Sequence, residues 1–286
     1  MKKLLAGLFL SVLVLALAAC GAGKKDDASS GASTEDKTDS KENVTLTVGA
    51  SNTPHAVILE KAKPILAKEG IDLKIETYTD YVLPNQDLAS KDLDANYFQH
   101  IPYFDLQIKD NGYDFVNAGS IHIEPIGIYS KKYKSLEDLP KGATILLSSS
   151  VSDHGRMLSL LEAKGLIKLK DGVDKTAAEI KDIAENPKNF KFDANTAPEM
   201  LVQMYENNEG DAVLINSNYA IDNGLNPIED AIALEESEKS PYLNIIAVRA
   251  GDETKPEIKK LVEVLTSKEI QDFMLEEWKG AVLPVK

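Results

Sequence analysis

The sequence predicts an α/β protein whose mixed, mostly parallel sheets form two lobes with a ligand cleft between them. From residue 44 onward, short apolar or alternating runs follow one another with helical patterns between them. This alternation is typical of sheets covered by helices. The folded part is long enough for two modest lobes. We expect the chain to cross between them near Gly127 and near Pro241, so that lobe 1 comprises residues 44–126 and 242–286 and lobe 2 residues 127–241.

The first residues predict an export signal. Lys2 and Lys3 precede an apolar run at 4–17, and small residues lead into Cys20, the only cysteine. This order indicates a signal peptide at residues 1–19, and the cysteine resembles the lipidation site of bacterial lipoproteins. The alternatives are an uncleaved membrane helix, for which the run is short of the roughly 20 residues required, and an ordinary signal with an incidental cysteine.

Residues 20–43 are predicted to form a lipidated cysteine followed by a disordered tether. They are mostly Lys, Asp, Ser, Gly, Thr and Glu, a composition that cannot bury enough apolar surface to fold. The formal charge of the chain is −14. This argues against nucleic acid as a partner, because phosphates require a basic surface.

In the first half of the folded part, strands and helices alternate. The strand at 44–48 shows period-two alternation, and Thr53 with Pro54 predicts the start of a helix that Gly70 ends. The next predicted elements are a strand at 71–75, a helix at 84–90, a strand at 94–97, a helix at 102–111 and a strand at 115–118.

The second half continues this order. The apolar run at 212–215 is bounded by turn signals, as expected for a buried parallel strand. The other predicted elements are a strand at 144–147, a helix from about 154 to 164, helices at 176–185 and 197–207, a strand at 243–249 and helices between 256 and 278.

Ligands of such sheets bind beyond the carboxyl ends of the strands, so the segments after the strands are the candidate sites. After two of the strands come Tyr81, Phe98, His100 and Tyr103. Loops do not need large flat side chains for their own stability, so this cluster predicts an apolar slot with polar tips. The alternative for each residue alone is a core aromatic group.

After the strand at 144–147, a serine-rich loop enters a helix, with Arg156 in its predicted first turn. A cation there opposes the helix dipole, which favours a specific anionic partner such as a ligand carboxylate. The alternative is a pair with an Asp or Glu of the chain. Asn216 and Asn244 lie at the end of one strand and the start of another, where they bind a ligand or stabilise a turn.

Other chemistry is weakly supported. The four histidines have no tight metal-ligand spacing, so no metal or other cofactor is predicted. The serine run near His154 lacks the nucleophile motif of a hydrolase, so we predict a protein without enzymatic activity.

Several motifs resemble the NlpA lipoproteins, the methionine-binding lipoproteins of ABC importers. The resemblance runs from about Val44 to the C-terminus, and the most specific motif is Asp-Ala-Asn-Tyr-Phe-Gln-His at 94–100. The motifs are Asp-Tyr-Val-Leu-Pro-Asn at 80–85, the run at 94–100, Gly-Arg at 155–156, Asn-Pro-Lys-Asn at 186–189, Ile-Asn at 215–216 with Tyr-Ala at 219–220, and Ser-Pro-Tyr-x-Asn at 240–244.

The resemblance implies a two-lobed periplasmic-binding-protein fold, type II-like, and one amino-acid ligand in its cleft. It implies that Tyr81, Phe98, His100 and Tyr103 surround the methionine side chain. It also implies that Arg156 binds the ligand carboxylate, with Asn216 and Asn244 on the other polar groups of the ligand.

The sequence departs from the family at two places. Glu124-Pro125 stands where many members have Tyr-Pro, and Ser148–Ser150 replaces a Pro-Asn-Asp loop. Glu124 either binds the ligand ammonium or is a surface carboxylate. Alternative ligands are D-methionine, methionine sulfoxide, a methionine dipeptide or another amino acid, and a rival class is a metal-binding lipoprotein.

The implied partners are an ABC permease with its ATPase, and the membrane through the lipid on Cys20. The expected location is the outer face of the cell membrane. The long tether and the lysine-rich, arginine-poor composition favour a Gram-positive cell.

Overall fold

The structure is a computed structural model that describes residues 43–285, which form two mixed β-sheets with helices packed against them. The predicted signal peptide, Cys20 and nearly all of the predicted tether lie outside these residues. Among the described helices, none is both long and apolar enough to cross a bilayer.

The first sheet has six strands in the order β13-β4-β12-β3-β1-β2. β1, β2 and β3 are parallel, whereas β12 is antiparallel to both of its neighbours. The elements that build this sheet and its helices are β1 Val44–Ser51, α1 Val57–Lys68, β2 Ile71–Tyr78, α2 Leu83–Ser90, β3 Ala95–His100, α3 Ile101–Asn111, β4 Phe115–Ile123, β12 Leu243–Arg249, α8 Pro256–Leu265, α9 Lys268–Trp278 and β13 Leu283–Pro284.

The second sheet has five strands in the order β11-β5-β10-β6-β9, and all of them come from the chain between β4 and β12. β6, β9 and β10 are parallel. Its elements, with the hairpin β7–β8, are β5 Gly127–Tyr129, β6 Thr144–Ser148, α4 Val151–Ala163, β7 Lys168–Leu169, β8 Ile183–Glu185, β9 Lys191–Thr196, α5 Leu201–Glu206, β10 Ala212–Ile215, α6 Ser217–Asp222, α7 Pro227–Asp230 and β11 Ala233–Leu234.

Both sheets are covered on their two faces. Along β12, Ile246 and Val248 enter the core formed with α1, α8 and α9, whereas Ile245 and Ala247 pack against α2 and α3. Along β10, alternate residues likewise enter two separate cores. Side chains of a strand alternate between faces, so a strand buried on both faces is a continuous apolar run. This confirms the predicted α/β class.

The predicted helix at 176–185 is wrong. Only a short 3₁₀ turn, Ile180–Asp182, forms there, and the chain then continues into β8. The side chains of Glu179 and Asp182 bind each other's backbone N–H groups, and Asp174 accepts hydrogen bonds from the N–H and hydroxyl of Thr176. Such local side-chain bonds give the backbone an alternative to the helix.

Other boundaries also differ from the prediction. The regular α-helix α1 begins at Val57, and a π-helical turn, Asn52–Ala56, precedes it. Within this turn Thr53 has extended backbone (φ −127°, ψ 133°), which is the conformation expected of the predicted N-cap. The predicted helix at 197–207 is divided into a 3₁₀ turn, Pro198–Met200, and α5. The short strands β5, β11 and β13 and the short helices α6 and α7 were not predicted, because such short elements are weakly marked by hydrophobic periodicity.

Candidate functional site

A narrow cavity lies at the carboxyl ends of parallel strands from both sheets, with about 20 Å³ of room for the centres of water-sized molecules. It is bordered by the segments that follow β1, β2, β4, β6 and β10, by the end of β3, and by the start of the antiparallel strand β12. All eight ligand-binding residues predicted from the sequence line it: Tyr81, Phe98, His100, Tyr103, Glu124, Arg156, Asn216 and Asn244. Their roles toward a ligand stay predictions.

Tyr81, Phe98, His100 and Tyr103 form one side of the cavity, here called the aromatic wall. The Phe98 ring lies 6.1 Å from Tyr81 and 6.0 Å from Tyr103 between centroids, and the His100 ring lies 6.4 Å from Tyr103. Phe98 and His100 belong to the end of β3, which is longer than predicted, and Tyr103 lies in the first turn of α3. These spacings suit edge-to-face packing around an apolar ligand group.

Two hydroxyl groups fix the aromatic wall. Tyr103 donates to the Tyr81 carbonyl at 2.6 Å, and Tyr81 donates to Asn218 Oδ1 at 2.7 Å. Asn218 lies in α6, directly after a strand of the second sheet. The second bond therefore joins segments that belong to the two different sheets.

Arg156 is buried in α4. The preceding residue, Gly155, allows α4 to pack closely against the backbone at Lys175 and Thr176. A Cβ atom at Gly155 would lie 2.6 Å from the carbonyl carbon of Thr176, so only glycine allows this packing. α4 begins at Val151, which places Arg156 in the second turn and corrects the predicted first-turn position. The dipole argument for an anionic partner is weaker there, because the effect is concentrated in the first turn.

The structure pairs Arg156 with an acidic residue, the alternative left open by the sequence. Arg156 Nε and Nη2 donate to Glu235 Oε2 at 3.0 and 2.5 Å, and Nη2 also donates to the Glu124 carbonyl at 2.6 Å. Burial alone would lower the pKa of Arg156, but the charge of Glu235 more than offsets this and raises it. No hydrogen bond within residues 43–285 involves Nη1, so part of the guanidinium fork is available to a ligand.

Glu124 is buried rather than a surface carboxylate, and two imidazoles contact it. Its Oε1 lies 2.7 Å from His122 Nε2 and 3.3 Å from His55 Nε2. His55 Nε2 also lies 3.0 Å from Asn244 Oδ1. Burial lowers the pKa of His55 to about 4 and that of His122 to about 3, whereas it raises the pKa of Glu124 against the opposing effects of His55 and Arg156.

The same three side chains could reach one metal ion. Ligating atoms of His55, His122 and Glu124 lie within 4.8 Å of one another, and neutral imidazoles with a carboxylate suit several divalent metals. The atoms of these side chains that lie closest together, His55 Nε2, His122 Nε2 and Glu124 Oε1, already have hydrogen-bond partners, however. A hydrogen-bonded network therefore accounts for this geometry without a metal ion.

The cavity also contains buried polar atoms that lack partners. Among residues 43–285, four buried side-chain nitrogen or oxygen atoms make no hydrogen bond, and three of them belong to the cavity: His55 Nδ1, Asp153 Oδ2 and Asn216 Oδ1. Buried polar groups are nearly always paired, so unpaired ones in one cavity indicate a ligand-binding site. The side chains of His55, Glu124, Asp153 and Asn216 are here called the polar wall.

The sequence did not assign five residues that line the cavity: His55, Gln99, Asp153, Ser217 and Asn218. Each lies within or beside a strand-end segment that was expected to carry the site. The position of Asp153, three residues before Arg156 on one helix, was an available signal because such residues share a helix face.

Comparisons with known proteins place the chain in one family. The family model described as NlpA lipoprotein matches residues 46–286. The methionine-binding lipoprotein MetQ of Bacillus subtilis is 51% identical over 100% of this chain and 99% of its own length.

Solved structures of similar proteins have the same fold as this chain. A putative methionine-binding lipoprotein from Bacillus subtilis is 53% identical with a TM-score of 0.83, covering 85% of this chain and 98% of that one. A nutrient-binding protein from Burkholderia cenocepacia, bound to methionine, is 43% identical with a TM-score of 0.79, covering 84% and 100%. These similarities confirm the predicted periplasmic-binding-protein fold.

Proposed function

Because the chain belongs to the NlpA lipoprotein family, we propose that it is the substrate-binding lipoprotein of an ABC importer and that its ligand is methionine. The observation that carries the proposal is that an aromatic wall and a polar wall with unpaired acceptors line the same cavity. An apolar side chain next to a zwitterionic group matches both walls. The named binding functions of its relatives support the same ligand.

Each wall contacts a different part of the ligand. The aromatic wall receives the thioether, which is polarisable and packs well against aromatic edges. Arg156 binds the carboxylate through the part of its fork that Glu235 leaves available. Asn216 and Asn244 contact the remaining polar groups, and Glu124 is a candidate for the ammonium group.

We further propose the two lobes predicted from the sequence, 44–126 with 242–286 and 127–241. Their boundaries fall where the chain passes from one sheet to the other, between β4 and β5 and between β11 and β12. Closure of the lobes on methionine by a hinge motion would present the loaded protein to an ABC permease and its ATPase.

Lipid on Cys20 holds the protein at the outer face of the cell membrane in this proposal, and residues 21–43 tether it near the permease. A tether raises the effective concentration of the receptor there. A Gram-positive cell, which has no outer membrane to retain a free receptor, is the favoured setting. The relatives are named as binding proteins, and we assign no catalytic role to this chain.

Calorimetry on protein freed of ligand by unfolding and refolding tests the proposal. The panel is L-methionine, D-methionine, glycyl-methionine, zinc and manganese. We expect saturable binding of methionine and no heat from the metals. Binding of zinc or manganese without any methionine compound would overturn the proposal and favour the cluster of His55, His122 and Glu124 as a metal site.

Replacing Arg156 tests its role in the site. Arg156→Ala should weaken methionine binding by about 3 kcal/mol, since a buried carboxylate loses its charged partner. Arg156→Lys, which keeps the charge but not the fork, should recover part of this loss. The matched control is Arg249→Ala, because Arg249, the only other arginine, donates to the carbonyls of Leu88 and Leu93 away from the cavity. An Arg156→Ala protein with unchanged affinity would remove this residue from the site.

A further inference from the structure

The carboxylate of Asp153 is buried in the cavity with almost no hydrogen-bonding partners. The residue is 2% exposed. Its Oδ1 lies 3.4 Å from Asn216 Nδ2 and 3.7 Å from His100 Nε2, and both distances are long for a charged group. Its Oδ2 has no partner within the described residues. A buried carboxylate in this state requires donors that the chain itself does not provide.

A second acceptor lies beside it. An ionised carboxylate only accepts, so Asn216 must turn its amide nitrogen toward Asp153, and this leaves Asn216 Oδ1 without a donor. His100 Nδ1 accepts from the Tyr103 N–H, which places the imidazole proton on Nε2, the atom that faces Asp153. Two acceptor atoms on this side of the cavity, Asp153 Oδ2 and Asn216 Oδ1, therefore lack donors. A positively charged donor such as an ammonium group would suit both.

Glu124 is less suited to this role than Asp153. The Oε1 atom of Glu124 is already contacted by two imidazole nitrogens. Asp153, in contrast, has an oxygen atom with both of its acceptor sites available. Of the two carboxylates that line the cavity, only Asp153 has a buried oxygen atom without a hydrogen-bond partner among the described residues.

The position of Asp153 also limits the kind of ligand. Asp153 and Arg156 are three residues apart on α4, so their Cβ atoms lie roughly 5–6 Å apart on one face of the helix. A free α-amino acid carries its ammonium and carboxylate on the same carbon, so one molecule can contact two side chains that share a helix face. In a dipeptide that ends in methionine, the ammonium group lies one residue, roughly 3.5 Å, farther from the carboxylate than in free methionine. Such a ligand cannot place both groups as free methionine does.

We propose that Asp153, with Asn216 Oδ1, binds the ammonium group of the ligand while Arg156 binds its carboxylate, so that the site selects free α-amino acids. This inference rests on the proposed methionine-binding function. It moves the ammonium contact from Glu124 to Asp153. It also gives the site a reason to reject N-acylated and N-terminally extended methionine.

The test compares methionine with the same molecule lacking its amino group, 4-(methylthio)butanoate, by calorimetry. Wild-type protein should bind methionine about 100-fold more tightly than this analogue. Asp153→Asn should weaken methionine binding by about 100-fold and change the affinity of the analogue by less than about threefold. The control is Asp110→Asn, an exposed carboxylate in α3, which should leave both affinities unchanged.

Different results separate the possible failures. If wild-type protein binds no methionine, the proposed function fails together with this inference. If wild type binds methionine but Asp153→Asn weakens both ligands equally, or neither, Asp153 is not the ammonium receptor and only this inference is overturned. Glycyl-methionine or N-acetylmethionine bound as tightly as methionine by wild type would overturn the selection of free amino acids. That comparison needs no variant and so does not depend on whether Asp153→Asn folds.

Discussion

Two clusters of buried polar side chains lie next to each other in this protein, and they differ in how fully they are paired. The amide cluster consists of Asn85, Asn96 and Gln99 and joins α2 to β3. Its members exchange four hydrogen bonds of 2.8–3.1 Å, and Asn96 also donates to the Pro84 carbonyl at 3.2 Å. The polar wall, by comparison, includes three atoms without partners.

In the proposed function, this difference distinguishes residues that stabilise the fold from residues that bind the ligand. A fully paired buried cluster stabilises one arrangement of the chain, whereas a partly paired one costs free energy until something else completes it. The motif at 94–100 contributes to both functions. Asn96 and Gln99 belong to the amide cluster, while Phe98 and His100 belong to the aromatic wall.

Acid should affect the polar wall and His122, which contacts Glu124 of that wall, and leave the amide cluster unchanged, because the amide side chains do not titrate. Burial holds the pKa of His122 at about 3 and that of His55 at about 4, against 6.5 in the unfolded chain. Between these values the unfolded chain binds more protons, so stability is lost as the pH falls below 6.5. Glu124, whose pKa is raised, acts in the opposite direction as it takes up a proton above its ordinary range.

His122→Gln measures this effect directly. Removing one such group should reduce the loss of unfolding free energy by about 1.4 kcal/mol per pH unit between roughly pH 6 and pH 4. Urea unfolding at several pH values gives the slope. Asn96→Ala is the control, since it should lower the whole curve without changing its slope. Equal slopes for wild type and His122→Gln would show that the histidine is not held neutral by burial.

Asn96→Ala should mainly lower the stability of the protein, whereas Asn216→Ala should mainly lower its affinity for methionine. Asn96→Ala removes one hydrogen bond from each of the buried amides of Asn85 and Gln99 and one from the Pro84 carbonyl, and should lower the free energy of unfolding by about 3 kcal/mol. Asn216 makes one long side-chain hydrogen bond and has one unpaired atom, so Asn216→Ala should cost less than about 1 kcal/mol of stability.

The loss of affinity should be larger for Asn216→Ala than for Asn96→Ala, the reverse of the order for stability. Methionine binding, measured by calorimetry on folded protein, should weaken at least tenfold in Asn216→Ala, roughly the value of one charge-assisted hydrogen bond. In Asn96→Ala it should change little. If Asn216→Ala destabilised the protein as strongly as Asn96→Ala, the distinction between the two clusters would not hold.

The sequence predicted the fold and the residues that line the cavity better than it predicted how those residues are paired. The strands at 212–215 and 243–249 have their predicted bounds, because continuous apolar runs leave little choice of structure. The convergence of the predicted site residues followed from the rule that ligands bind at strand ends. The pairing of Arg156 with Glu235, 79 residues away, depends on tertiary packing that local patterns do not encode.

Asp153 was not identified for a related reason. Its significance lies in an oxygen atom that no neighbour reaches, and missing partners become visible only when all neighbours are placed. His55 follows β1, where a site residue was expected, but nothing in its immediate sequence distinguishes it from a residue of the next helix. The helix at 176–185 was wrongly predicted because apolar spacing does not show that Asp174, Glu179 and Asp182 bind the backbone instead.

The smallest effect concerns the hydrogen bond from Tyr81 to Asn218, which crosses the cavity between segments of the two sheets. Tyr81→Phe keeps the ring of the aromatic wall and removes this bond. If methionine stabilises the arrangement in which the two segments meet, binding should weaken by about 1 kcal/mol, roughly fivefold. Tyr103→Phe is a matched control, because its hydroxyl donates to the Tyr81 carbonyl within one side of the cavity. We expect calorimetry to show less than about a twofold change in affinity for the control. Equal losses in both variants would mean that the hydroxyl groups act through the shape of the aromatic wall rather than by joining the two sides of the cavity.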